Sequence, residues 1–295
     1  MEGPTAARIT DPDRIRNYLS DESAAFHGRA EELYLPASEA EVAEIVRAAN
    51  ESHTLLTVSA GGTSIIGPQV RITLCAVLSM ERMVRVERRP PPGFEVAEPP
   101  GFTVQINPTA KVAIVPPAIT LDELDAILSR RGLAYPPDPT EASANLGGTV
   151  ATNASGGWSF RYGATRSWVR RLRVVLPTGE IAELRRGDSP ARGGVLRFAA
   201  DGRTVEIPLP APDEYRMPQI KNAAGLYLAA GMEPIDLFIG CEGLAGVITE
   251  IEIGLIERPA HTLTVVAYFA EQDDVLDFVD SGVTGRAPLG YLSIE

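Results

Sequence analysis

The sequence predicts an α+β fold on three observations: two helices that open on capping boxes, short apolar strands that separate and follow them, and glycine-rich turns that break this pattern three times. At 295 residues the chain can bury a substantial core and is long for one domain, so two units are expected. Its 44% hydrophobic and 22% charged content is that of an ordinary folded protein.

Residues 1–30 are polar and predict a peripheral arm or short helix. Ser38 with Glu41 forms a capping box, and Val42, Ile45, Val46 and Ala49 follow at helical spacing up to Asn50. Leu55 to Val58 reads as a buried strand running into Ser59-Ala60-Gly61-Gly62-Thr63-Ser64-Ile65-Ile66-Gly67-Pro68, and Val70 to Leu78 as the strand after it. The prolines and glycines of 88–109 predict an extended loop. Lys111 to Val115 is a strand, and Thr120 with Glu123 caps a second helix that buries Leu121, Leu124, Ile127 and Leu128 and ends at Gly132. Tyr135-Pro136-Pro137-Asp138-Pro139 forces a stiff extended path, because each proline fixes its own φ and biases its predecessor.

That path leads to Asn145–Gly163, where Gly147, Gly148, Gly156 and Gly157 alternate with Ala, Thr, Ser and Asn. Such a backbone suits a ligand whose oxygens need N–H groups; a packing seam or a surface loop has the same composition. Val169 to Leu176, Pro-Thr-Gly and Glu180 to Leu184 predict a β-hairpin, and 185–220 reads as irregular. Ile235 to Ile239 leads into a third glycine-rich turn, Gly240 to Thr249, and Glu250 to Ile256 alternates as a closing strand. Beyond His261, Leu263 to Phe269 predicts a strand, Asp273 to Val279 a helix, and Tyr291 onward another strand.

A net charge of −12 disfavours a nucleic-acid partner, since an acidic surface repels the phosphate backbone. The arginines between Arg166 and Arg173 read as an amphipathic edge. Cys75 and Cys241 stand far apart without CxxC spacing, and His27, His53 and His261 are scattered, so neither a disulfide framework nor a metal centre is expected. No apolar run has the length of a transmembrane segment and no leader pattern is visible, which places the protein by default in the cytoplasm. The first turn is not a P-loop, because Pro68 and Gln69 stand where Lys and Ser/Thr are required, nor a dinucleotide fingerprint, because strand-forming residues follow it.

The three turns in this order, Ala60-Gly61-Gly62-Thr63-Ser64, Leu146-Gly147-Gly148-Thr149 through Asn153-Ala154-Ser155-Gly156-Gly157, and Gly240-Cys241-Glu242-Gly243 through Gly246-Val247-Ile248-Thr249, with the proline path before the second, resemble the FAD-binding domain of the vanillyl-alcohol oxidase / p-cresol methylhydroxylase (PCMH) superfamily. The nearest likeness is to its glycolate oxidase and D-lactate dehydrogenase type of FAD-linked oxidase. The resemblance implies a PCMH-type FAD-binding domain of two α/β subdomains at 31–260, preceded by an arm at 1–30. It also implies that 261–295 begins an incomplete α+β cap domain that would carry the catalytic residues further on, so none is nominated.

By the same resemblance, Ser59, Ala60, Gly61, Gly62, Thr63 and Ser64 hold the FAD pyrophosphate and Gly67 closes the turn. Pro137, Asp138 and the residues after them to Ser143, with Gly147, Gly148, Thr152, Asn153, Ala154 and Ser155, line the dinucleotide, and Glu242, Gly246, Val247 and Ile248 complete the site. Three departures bear on cofactor retention. Ala60 stands where covalent members carry a flavin-linking histidine, which implies non-covalent FAD. Pro116-Pro117 replaces Pro-Gly, and Gly243-Leu244-Ala245-Gly246 replaces Gly-Thr-Leu-Gly. The implied activity is oxidation of a 2-hydroxy acid by hydride transfer to flavin N5, with a quinone, cytochrome, iron–sulfur protein or oxygen as electron acceptor. An alkylglycerone-phosphate synthase, a UDP-N-acetylenolpyruvoylglucosamine reductase and a non-catalytic FAD-binding subunit remain open on the same motifs.

Overall fold

The computed structural model describes residues 6–284 apart from residues 24, 66, 68–69, 99–100, 212–214, 216, 219, 221, 223–225 and 264. The N-terminal arm contains strand β1 (Ala7–Ile9) and the one-turn helix α1 (Pro12–Ile15), and β1 pairs antiparallel with β2 (Ala30–Leu35). The arm therefore supplies a sheet strand and is not only a peripheral layer. Helix α2 (Glu39–Glu51) starts where Ser38 Oγ accepts the Glu41 N–H at 3.2 Å. The Glu41 carboxylate reaches the N–H of Ala37 at 2.6 Å. Strands β3 (Leu56–Ser59) and β4 (Cys75–Ser79) run parallel and complete a four-stranded sheet in the order β1-β2-β4-β3. The strand expected from Val70 starts only at Cys75. The Val70 N–H still closes a turn on the Gly67 carbonyl at 3.0 Å, and Ile72 and Leu74 stay exposed.

The segment expected as an extended loop at 88–109 instead contains β5 (Glu95–Ala97) and β6 (Val104–Asn107). Val104 and Ile106 are fully buried, and β6 pairs with β7 (Val112–Val115), so apolar burial overrides the surrounding prolines. Pro99 and Pro100 lie outside the described residues. The capping box at Thr120 and Glu123 is formed and opens helix α3 (Leu121–Ser129), after which β8 (Leu133–Ala134) leads into the proline path.

Asn145–Gly163 is not an open loop but two short helices, α4 (Leu146–Ala151) and α5 (Ser159–Tyr162). Tertiary bonds hold α4 against the poor helix propensity of its glycines: the N–H groups of Leu146 and Gly147 donate to the Ile119 and Pro117 carbonyls, each at 2.8 Å.

The predicted hairpin is β9 (Val169–Val175) with β10 (Ile181–Arg185). The stretch read as irregular from 185 contains a second hairpin, β11 (Val195–Ala200) with β12 (Arg203–Pro208). Its turn is Asp201-Gly202, both at positive φ (44° and 77°), the pair that a two-residue hairpin turn favours. After helix α6 (Pro234–Phe238) comes β13 (Val247–Gly254), and β14 (Ile256–Glu257) then pairs with β8. Strand β13 does not alternate: all its residues are buried, because it lies between β9 and β7 with both sheet faces covered.

The large sheet is antiparallel throughout, in the order β12-β11-β10-β9-β13-β7-β6-β5. The two sheets share a core in which Val42, Leu78 and Met80 meet Val175 and Val247. Of the arginines read as an edge, Arg170, Arg171 and Arg173 sit on central β9, where Arg171 is 3% exposed and reaches Glu250 at 2.7 Å and Glu252 at 3.1 Å. Helix α7 (Gln272–Thr284) covers the predicted helix near the C-terminus. Leu263 to Phe269 forms no strand among the described residues, having no described strand beside it to pair with. The strand expected from Tyr291 lies outside the described residues. Among the described residues, no helix is long and apolar enough to cross a membrane.

Candidate functional site

The three glycine-rich segments meet around one cavity of about 580 Å³. The end of β3 delivers the turn at 60–64 to one wall, α4 and the residues after it form the floor, and the turn before β13 closes the far side. The close approach has a steric cause. A Cβ on Gly147 would stand 2.7 Å from the Pro117 Cβ, and one on Gly61 2.8 Å from Asn145 Oδ1, both closer than real Cβ contacts. Across the cavity a Cβ on Gly148 would meet the Ala60 Cβ at 3.2 Å.

Two backbone positions at the far side are strained in the same sense: Asn153 has φ 48° and Glu242 φ 53°. Each is fixed by its surroundings. Asn153 Oδ1 accepts the Arg166 N–H at 2.9 Å, and the N–H of Glu242 donates to the Ala151 carbonyl at 2.9 Å. Arg166 also ties the second segment to the third. Its guanidinium donates to the Asp236 carbonyl at 2.7 Å, to Asp236 Oδ1 at 3.0 Å and to the Ile239 carbonyl, and lies 4.1 Å from the Tyr227 ring centre. Burial pulls the Arg166 guanidinium below its ordinary value, opposed by Asp236.

Among the described residues, the N–H groups of Gly61, Gly62 and Thr63 and the Thr63 hydroxyl have no hydrogen-bond partner within the protein. Successive N–H groups of this kind form an anion-binding concavity. Among the described residues, the charged side chains of the lining are Glu141 and Glu242, with no Lys, Arg or His. An anionic group here is therefore held by backbone and hydroxyl dipoles. In the first turn of α4 the N–H groups of Leu146 and Gly147 are spent on the Ile119 and Pro117 carbonyls.

Of the residues expected to form the site, Ala60, Gly61, Gly62, Thr63, Ser64, Pro139, Thr140, Glu141, Gly147, Gly148, Thr152, Asn153, Ala154, Ser155, Glu242, Gly246 and Ile248 line this cavity. The others stand outside the lining. Ser59 is buried at the end of β3 and its carbonyl accepts the Met80 N–H at 2.9 Å. Gly67 donates its N–H to Asp21, and Ser143 is bonded to Glu141. Pro137 and Asp138 line a separate cavity of about 330 Å³, where burial and the nearby Asp125 raise the Asp138 carboxyl. Val247 is buried in the core shared by the sheets. Asn145, Thr149 and Cys241 also line the cavity and were not anticipated; each adjoins or lies inside a quoted motif, so the motif boundaries carried the signal.

A two-sheet α+β domain whose glycine-rich turns converge on an N–H-lined cavity defines a binder of an extended phosphate-bearing cofactor. The match to known proteins makes this specific: residues 30–185 fit the FAD binding domain, and the chain belongs to that family, within the PCMH-type FAD-linked oxidases. Its cofactor is FAD. The chain is 29% identical to a D-lactate dehydrogenase of Anaerostipes hadrus over 91% of its own length and 46% of that protein. It is 30% identical to an uncharacterized FAD-linked oxidoreductase of Mycobacterium tuberculosis over 86% and 44%. The chain thus spans less than half the length of these relatives. Among solved structures, an alkyldihydroxyacetonephosphate synthase superposes with a TM-score of 0.60 at 20% identity, covering 86% of this chain and 38% of that one, a likeness of fold. The unbonded N–H groups and the cradle that side chains on Gly148 or Ala154 would narrow fit the dinucleotide.

Proposed function

We propose that this chain is the FAD-holding part of an oxidoreductase that acts on a 2-hydroxy acid of the D-lactate or glycolate type and passes the electrons to a separate acceptor such as a quinone, cytochrome or iron–sulfur protein. The observation that carries the reading is the convergence of three glycine-rich segments on one cavity with free N–H groups in its first turn. The D-lactate dehydrogenase relative supports the substrate class. Gly61, Gly62 and Thr63 hold the pyrophosphate, Gly148 and Thr152 to Ser155 lie along the dinucleotide, and Glu242 and Ile248 close the site. Ala60, with no nucleophilic side chain, leaves FAD non-covalent.

When bound, FAD supplies the hydride acceptor for the C2–H of the hydroxy acid. The acid itself needs a cation for its carboxylate and a base for its hydroxyl. Among the described residues the cavity lining offers no Lys, Arg or His, so this cavity holds cofactor and the substrate groups come from elsewhere. Residues 31–260 act as the FAD-binding domain, with 1–30 as its arm and 261–295 as the start of a cap domain.

Titration with FAD, followed by absorbance and flavin fluorescence, tests the reading. A one-to-one complex is expected, with its flavin released on acid precipitation, and Ala154→Leu should weaken binding at least about tenfold by filling the cradle. Equal affinity in that variant would remove the cavity as the site. Anaerobic D-lactate or glycolate is expected to reduce the flavin of the 295-residue chain slowly or not at all; bleaching by NADPH instead would favour the reductase reading.

A further inference from the structure

The first glycine-rich turn is held from its outer side by the arm that precedes the matched domain. The Asp21 side chain is 7% exposed, and its Oδ2 accepts the Gly67 N–H at 2.7 Å. Its other oxygen accepts the Ser23 N–H at 3.1 Å and the Ser23 hydroxyl at 2.5 Å, which fixes the carboxylate's direction. The Glu22 N–H donates to the Ser64 carbonyl at 3.1 Å. The Phe26 ring packs 3.2 Å from the place a Cβ on Gly67 would take. The match to the FAD binding domain begins at residue 30, so none of these contacts belongs to it.

A turn of small residues that keeps its own N–H groups unbonded has many conformations to lose when a ligand orders it. Anchors at Ser64 and Gly67 restrict that freedom beforehand while leaving Gly61, Gly62 and Thr63 turned toward the cavity. From this we infer that Asp21 is a positioning residue for the cofactor turn, and that the arm is a strap whose bond to the Gly67 N–H sets how tightly FAD is retained. The inference rests on the FAD reading of the cavity. Asp21 acts through Gly67 and not by attracting the cofactor, since its charge has the sign of a phosphate.

Asp21→Asn can keep an oxygen on Ser23 while turning an NH₂ toward the Gly67 N–H, a donor against a donor. Two measurements on the whole chain decide the matter. In cofactor-free protein, the Gly67 amide and those of 60–64 are expected to exchange hydrogen faster in the variant, while the amides paired between β2 and β4 keep their rates. In the FAD titration the Kd is expected to rise about tenfold. Unchanged exchange at Gly67, or faster exchange with an unchanged Kd, overturns the inference. A parent protein that binds no FAD, or an Ala154→Leu variant that binds it equally well, overturns the cavity reading, and the exchange data still report on the strap. Should Asp21→Asn fail to fold, Ser23→Ala releases the same carboxylate more mildly and must shift both readouts in the same direction for the inference to stand.

Discussion

Small residues of two kinds share the glycine-rich segments, and single substitutions separate them. Gly156 lies against the proline path: a Cβ on it would stand 1.6 Å from the Asp138 carbonyl oxygen, a distance that only backbone movement can relieve. Gly246, at the cavity edge, is packed as closely, with a Cβ on it 2.7 Å from the Val175 carbonyl oxygen. Gly148 and Ala154 instead face the cavity. Gly156→Ala should therefore destabilise cofactor-free protein by about 1–3 kcal/mol or more, seen as a lower denaturation midpoint, whereas Ala154→Leu should leave that midpoint nearly unchanged. Equal midpoints for the two would mean that the segment has no division of labour. The sequence alone showed that small residues are concentrated at 145–157 but not what each position needs, because the Asp138 and Val175 backbones come from elsewhere in the chain.

At the scale of elements, β9 and β13 form a charged spine inside the large sheet. Arg171 lies between Glu250 and Glu252 on β13, and Arg173 reaches Glu39 on α2 at 2.6 Å and Glu183 on β10 at 3.0 Å. Reading these arginines as an edge failed for a physical reason. The burial of Arg171 is tolerable only because Glu250 and Glu252, 79 and 81 positions away on another strand, neutralise it, and pairing is not written in local periodicity. Helices α2 and α3 were legible because their caps are local; the Asp201-Gly202 hairpin was equally local and its turn signal was overlooked. The spine has a pH consequence. Burial alone would raise the Glu183 carboxyl, but Arg171 and Arg88 outweigh it and hold the group below its ordinary 4.5. A carboxyl depressed in the fold contributes stability that is present above its unfolded value and lost as pH falls through the folded one. Melting temperature should thus decline as pH drops below about 4.5, and Glu183→Gln should flatten that decline. A parallel decline in the variant would assign the acid sensitivity to other carboxyls.

For the whole molecule, the cavity joins parts that the sheets keep separate. Residues 60–64 hang from the small sheet, while 147–155 and 242–248 belong to the layer of the large one. The sheets already share apolar contacts through Val42, Leu78, Met80, Val175 and Val247, so the protein should unfold in one transition before any ligand is added. A cofactor held by all three segments binds the folded state only and stabilises both layers together, by about 2.7 kcal/mol at a free concentration one hundred times its Kd. Scanning calorimetry at increasing FAD should then show a single transition that moves upward as a whole, and Ala154→Leu should move it much less at the same concentrations. Were the transition to split, with one part insensitive to FAD, the cofactor would be resting on one sheet alone, and the convergence of the three glycine-rich segments would lose its role in joining them.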